Sequence, residues 1–183
     1  MAHQYNATAT IDPESLVTIE VEGLPSMQSG PPKEFGGSGE QWSPEDLLVS
    51  AVADCFVLSF KAVATASKFP WTTLSCSVTG TLDKVDKAMQ FTAMNIKASL
   101  TIPQDADPER AKALLEKSEG VCFITNSLKA EKTLEIDGYA LIDEAGSGLT
   151  NQKWCWLGRR TQALLPLAAS VSSNYRSDPE AFL

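Results

Sequence analysis

Two cysteines, Cys55 and Cys122, stand in contexts that a purely structural thiol does not need. Two thiols that can meet are the minimum for disulfide-based redox chemistry, in which one sulfur is oxidised and the other resolves it. Cys55 lies inside the apolar run from Leu47 to Leu58, and that run opens with Ser43-Pro44-Glu45-Asp46. Read at helical spacing, positions 48, 51, 52, 55, 59 and 62 form one stripe, with Leu48, Ala51, Val52 and Ala62 apolar. On that stripe alone Cys55 is a buried, inert thiol, because an apolar setting raises a thiol's pKa unless a cation or a helix N-terminus assists it. Cys122 follows Gly120-Val121 and leads into Phe123-Ile124. It stands where one helix ends and another turn begins, so free backbone N–H groups there stabilise a thiolate. A core cysteine beside Phe123 and Ile124 fits the same residues. Cys76 shares a face with Leu74 and Val78 and reads as a small core hydrophobe, and Cys155, between Trp154 and Trp156, has no acid, base or ligand neighbour.

Other chemistries fall away by composition. The single histidine is His3, so Cys-His and Ser-His-Asp catalysis lack their base. The four cysteines include no CxxC pair, which removes the usual zinc pattern, and no metal is expected. Gly36, Gly37 and Gly39 do not follow a strand and open no phosphate-binding fingerprint. A net charge of −8 without a basic run argues against nucleic acid and against anionic membranes. No apolar stretch is read as reaching the roughly 18 residues of a membrane span. The start, Met1 to Asn6, lacks a secretory pattern, and Asn6-Ala7-Thr8 reads as a chance glycosylation match. Cysteines without a secretory signal place the chain in a reducing compartment, with a cytoplasmic location expected.

Elements that position these residues follow from periodicity. Leu16 to Glu22 alternates as a half-buried strand, Tyr5 to Ile11 is its hairpin partner, and Asp12-Pro13-Glu14 is the turn. Residues 23–42 read as a loop. Ser43 caps a helix that runs to about Ser67, with Pro44 at its first position, Glu45 and Asp46 complementing its dipole, and Pro70 limiting it. Strands follow at 73–82, with Leu74, Cys76, Val78 and Leu82 inward, and at 93–102, with Met94, Ile96, Ala98, Leu100 and Ile102 inward; residues 83–87 form the turn. Asp107 caps a second helix that buries Ala111, Leu114 and Leu115 and stops at Gly120, a short helical turn follows Cys122, and 133–142 is a final strand. Residues 143–183 differ: their charges sum to zero, so the whole −8 lies in residues 1–142, with 11 basic against 19 acidic. They read as a C-terminal extension of unassigned role, with a short helix near Arg160 to Leu164, after a first domain of residues 1–142.

Phe35-Gly36-Gly37, then Trp42 to Leu48, then Ala53-Asp54-Cys55-Phe56, and later Cys122-Phe123-Ile124-Thr125-Asn126-Ser127-Leu128 resemble, in that order, the OsmC/Ohr family of organic hydroperoxide reductases. The resemblance spans roughly residues 5–142. It implies an α+β fold with antiparallel sheets wrapped around a central cysteine-bearing helix, in an intertwined homodimer with active sites at its interface. It also implies a cofactor-free thiol peroxidase that acts on organic hydroperoxides, with Cys55 peroxidatic, Cys122 resolving, and an external thiol or dithiol reductant. Glu45 matches the family's glutamate, which holds an arginine against the reactive thiolate. That arginine comes from the family's N-terminal region, yet no arginine precedes Arg110, and Lys33 is the nearest cation that can activate the thiol. Ten residues of straight helix separate Glu45 from Cys55 by about 15 Å, so a bend or a partner subunit must bring them together. Two rivals remain: an OsmC-like redox sensor or small-molecule binder with weak or no peroxidase activity, and a structural dimer with two core thiols.

Overall fold

A computed structural model describes residues 2–142 and 148–152, with side chains described up to residue 137. The expectations for Cys155 and for a helix near Arg160 to Leu164 lie outside the described residues. Strands β1 (Thr8–Thr10) and β2 (Val17–Glu20) form the expected antiparallel hairpin. The 23–42 segment is not all loop: Met27–Ser29 is a third strand, β3, pairing antiparallel with β2, and Lys33–Phe35 forms a 3-10 turn. Alternation is too short to read in three residues, whereas the pairing of Val17 with Ser29 and Ile19 with Met27 defines the strand.

Helix α1 (Pro44–Ala66) starts where the cap chemistry demands. Ser43 Oγ accepts from the Asp46 N–H at 3.0 Å, and Asp46 Oδ2 accepts from Ser43 N at 3.1 Å and from Ser43 Oγ at 2.8 Å. The buried residues of α1 are Val52, Phe56, Phe60, Val63 and Ala64. This stripe lies to one side of the one read from sequence; Ala62 is exposed and Cys55 only half-buried. Phenylalanines four residues apart bury more apolar area than alanines, so they choose the inward direction. By length and composition α1 also passes as a membrane span, with a mean hydropathy of 1.9 over its best 18-residue window, which corrects the expectation that no stretch is that apolar. In this fold its inner face is core, and Asp54 sits exposed at mid-helix, where a bilayer would penalise it.

Strands β4 (Thr73–Val85) and β5 (Ala88–Pro103) form a hairpin longer than expected, since Val85 pairs with Ala88 and the turn shrinks to Asp86-Lys87. Asp86 takes φ 56° there, a conformation that Asp tolerates. The inward sets are as predicted: Leu74 opposes Leu100, Cys76 opposes Ala98 and Val78 opposes Ile96. Helix α2 (Pro108–Gly120), capped by Asp107, buries Ala111, Leu114, Leu115 and Ser118. A four-residue helix, α3 (Phe123–Asn126), follows with Cys122 at its N-cap position. These two helices are the crossover to β6 (Glu131–Ile142), which runs parallel to β5, so the second sheet is mixed rather than wholly antiparallel. Strand β7 (Gly148–Gln152) returns antiparallel to β6 and carries the sheet past residue 142. The core joins the inner stripe of α1 and the apolar side of α2 to the inward face of β4 and β5.

Candidate active site

Cys55 and Cys122 are brought together by two different devices. α1 carries Cys55 on the flank of its buried stripe, half-exposed, while the α2–α3 junction carries Cys122 fully buried. The junction is fixed by its own polar side chains. Thr125 Oγ1 donates to the Cys122 carbonyl at 3.1 Å, Asn126 Nδ2 donates to the Gly120 carbonyl at 3.0 Å, and Lys132 Nζ reaches from β6 to the Thr125 carbonyl at 3.3 Å. α3 therefore has one position relative to the sheet, and its first N–H groups, which lack intrahelical acceptors, are aimed rather than free to wander.

Two of them bear on Cys55. Burial works to raise the Cys55 thiol, but hydrogen bonds from the Cys122 thiol, from the Ile124 and Phe123 N–H groups and from the Ser59 hydroxyl outweigh it, and the net direction is down. At Cys122 burial raises the thiol first; donating its proton to Cys55 and facing that sulfur's charge push the same way, and Thr125 opposes them only in part. The Phe123 and Ile124 N–H groups thus favour a thiolate on Cys55, while the Thr125 N–H and hydroxyl favour one on Cys122 without outweighing what raises it. Cys76 stands near enough to feel Cys122, and burial followed by that charge pushes it up to about 11. Of the three described thiols, all free, one is shifted down and two are shifted up. Among the described residues no group of three or more His, Cys, Asp or Glu can hold a metal ion.

Glu45 and Lys33 are not part of this cluster. Glu45 lies in the first turn of α1 and lines a groove of about 640 Å³ with Trp42, Phe35 and Phe91. Its Oε2 is buried without a hydrogen-bond partner among the described residues. The exposed Lys33 lays its alkyl stem over Gly39, where a Cβ would meet the Lys33 carbons at 2.1 to 2.8 Å, and it does not act on Cys55. Arg110 donates to the Ser67 carbonyl and stands 5.7 Å over the Phe69 ring, at the far end of α1 from Glu45. Sequence reasoning missed Ser59, Thr125 and Lys132 as supports of the site. Ser59 alone carried a signal, standing four residues after Cys55 on the same helical row.

The family model described as OsmC-like protein matches residues 37–137, more than half of the chain and both site cysteines. The chain belongs to the OsmC-like family. Peroxiredoxin OsmC of Escherichia coli K12 is 28% identical over 93 residues, covering 51% of this chain and 64% of that protein. The match therefore spans less than two thirds of the relative's length. Among solved structures, an OsmC-like protein of unknown function from Vibrio cholerae superposes with TM-score 0.69 at 18% identity, covering 74% of this chain and 99% of its own. OhrB of Bacillus subtilis, an organic hydroperoxide resistance protein, gives TM-score 0.57 at 18% identity, covering 73% and 98%. These likenesses establish the mixed α+β OsmC-like fold. Within the OsmC-like family, peroxiredoxin chemistry is thiol-based and needs no cofactor.

Proposed function

We propose that the protein is a thiol peroxidase that reduces organic hydroperoxides to alcohols, with Cys55 peroxidatic and Cys122 resolving. The observation that supports it is the opposite direction in which the fold moves two adjacent thiols, Cys55 down and Cys122 up. The Cys55 thiolate attacks the terminal peroxide oxygen, the O–O bond breaks, and the departing alkoxide takes a proton and leaves as the alcohol. Cys55 is then a neutral sulfenic acid. Loss of the thiolate removes the charge and the hydrogen bond that helped to keep Cys122 protonated, leaving burial as the main opposition. Oxidation of the first thiol thus readies the second. Cys122 sulfur attacks Cys55 sulfur, the S–S bond forms, the S–O bond breaks, and hydroxide leaves with the Cys122 proton as water. A dithiol reductant reopens the disulfide.

A second copy of the chain completes the site in this reading. The segments flanking β1, β2 and β3 expose Tyr5, Ile11 and Leu24, and Leu58 on the outer side of α1 is 55% exposed. Exposed apolar side chains of this size are surface that a second copy could cover. If two α1 helices pack antiparallel about a two-fold axis near residue 50, Glu45 stands beside the partner's Cys55, which closes the 15 Å gap of about ten residues without a bend. Mass spectrometry after one equivalent of cumene hydroperoxide should find a Cys55–Cys122 linkage. Full turnover by Cys55→Ser would sink the proposal.

One observation favours a second reading, a redox sensor or small-molecule binder of the same fold with weak turnover. Among the described residues no cationic side chain acts on Cys55. Steady-state peroxide consumption separates the two, because a sensor oxidises once and stops.

A further inference from the structure

Cys76 is the one described thiol without a part in the peroxide steps, and the packing of α1 on β4 brings it to the level of the other two. A Cβ on Gly80 would meet Val49 Cγ2 at 2.8 Å, and the rings of Phe60 and Trp71 meet edge to face with centroids 5.4 Å apart. The first contact ties the first half of α1 to the middle of β4, and the second ties the last turns of α1 to the residues just before β4. α1 therefore runs antiparallel over β4. Cys55 lies between Val49 and Phe60 on the helix, and Cys76 lies between Trp71 and Gly80 on the strand side. Cys76 faces inward with Leu74 and Val78, opposes the small side chain of Ala98, and packs against the core that holds Val52 and Phe56. Cys122 links the two. Its thiol donates to Cys55, and its charge is felt at Cys76.

We propose that Cys76 is a second redox partner of Cys122 and takes the disulfide over from Cys55 once peroxide has been reduced, a step that rests on the peroxidase reading above. The Cys76 thiolate attacks the Cys122 sulfur, the Cys76–Cys122 bond forms, the Cys55–Cys122 bond breaks, and Cys55 leaves as the thiolate. The proton lost by Cys76 goes to solvent, and no net oxidation or reduction occurs. Two features drive the exchange inward. The better leaving group is the thiol of lower pKa, and Cys55 is that thiol, received by the Phe123 and Ile124 N–H groups and the Ser59 hydroxyl. A disulfide whose reduced form is stabilised as a thiolate is also the more oxidising one, so it gives up its bond to the other pair. Burial raises Cys76 and keeps its thiolate scarce, which makes the exchange slower than the first disulfide. The inner disulfide returns Cys55 to its reduced form and occupies Cys122, so a second peroxide leaves a Cys55 sulfenic acid that only an external thiol can resolve.

Disulfide mapping by mass spectrometry tests it, on the full chain treated with one equivalent of cumene hydroperoxide, quenched in acid at timed intervals and blocked with an alkylating reagent. The expected result is a Cys55–Cys122 link that forms first and then gives way to Cys76–Cys122, while Cys55 becomes open to alkylation again. The conversion should speed up about tenfold for each pH unit between about 7 and 8.5, as the thiolate fraction of a thiol well below its pKa does. Cys76→Ala should form the first disulfide at the wild-type rate and keep it. A second arm uses diamide, which takes two hydrogens from a pair of thiols and needs no peroxidase: Cys55→Ser should then give Cys76–Cys122 within one chain. A Cys55–Cys122 link that persists in the wild type would overturn the proposal. So would Cys122 of Cys55→Ser found paired with Cys155, with a second chain or with nothing. If diamide gives the inner link but the wild type consumes no peroxide, the peroxidase reading fails and the Cys76–Cys122 pairing stands. If peroxide is consumed and Cys76 never enters a disulfide, this proposal fails and the peroxidase reading stands.

Discussion

Removing the Ser43 hydroxyl tests how much the start of α1 depends on its cap. In Ser43→Ala the Asp46 N–H loses its 3.0 Å acceptor, and Asp46 Oδ2 loses its 2.8 Å donor but keeps the 3.1 Å bond from Ser43 N. Ser43 is 1% exposed, so water cannot replace the hydroxyl without moving the chain. Asp46 is exposed, so its carboxylate can be rehydrated. The loss is therefore that of a dry N-cap, about 1–2 kcal/mol, in the upper part of the range for Ser→Ala at this position. For a chain of this size that lowers the melting temperature by about 2–8 °C. Urea unfolding at one fixed protein concentration measures it, because association would otherwise shift the midpoint. Asp46→Ala removes the shared 2.8 Å bond and the 3.1 Å bond from Ser43 N, and leaves the residue-46 N–H on Ser43 Oγ. The double variant should then be less destabilised than the sum of the singles by at least about 0.5 kcal/mol. Cys55 should keep its alkylation profile in all three, since Val52 and Phe56 hold the middle of α1 against the sheet. A single-variant loss below about 0.3 kcal/mol, or strict additivity, would refute the capping argument.

Cys122→Ala should raise the pH at which Cys55 alkylation by iodoacetamide levels off, whereas Cys122→Ser, which keeps a donor beside Cys55, should hold it nearer the wild-type position; both should abolish the peroxide-induced disulfide. Cys76 should resist alkylation at neutral pH. Its folded pKa is raised to about 11, so above the ordinary thiol range of about 8.5 the unfolded chain has lost a proton that the folded chain keeps, and stability falls as pH rises toward 11. Urea midpoints of wild type should therefore decline more than those of Cys76→Ala between pH 8.5 and 10.5. Gly37→Ala should give little soluble protein, because its Cβ would stand 1.6 Å from the Pro31 carbonyl oxygen. Gly80→Ala should instead fold with a loss of about 1–3 kcal/mol by denaturant titration, since side-chain tips can give way where backbone cannot.

What the sequence made legible follows from how local each cause is. The α1 cap, the α2 start at Asp107 and the inward sets of β4 and β5 are set by residues within a few positions of one another, and each was readable. β3 was not, because three residues are too few for a period and its pairing with β2 is what defines it. The direction of β6 was not, because it depends on where α2 and α3 deliver the chain rather than on the alternation in β6 itself. The two cysteines show the same division. Their candidacy was visible, but the local reading gave the α3 N–H groups to Cys122, the residue adjacent in sequence. Packing gives those of Phe123 and Ile124 to Cys55, 67 positions earlier than Cys122, and leaves that of Thr125 to Cys122. A cap residue faces its own helix with its backbone, and the donors beyond it point outward to whatever the fold brings there. The sequence could show a helix start with donors to spare. It took the crossing of α1 over the α2–α3 junction to show how they divide between the two sulfurs, and that division helps to move the Cys55 thiol down while burial moves Cys122 up.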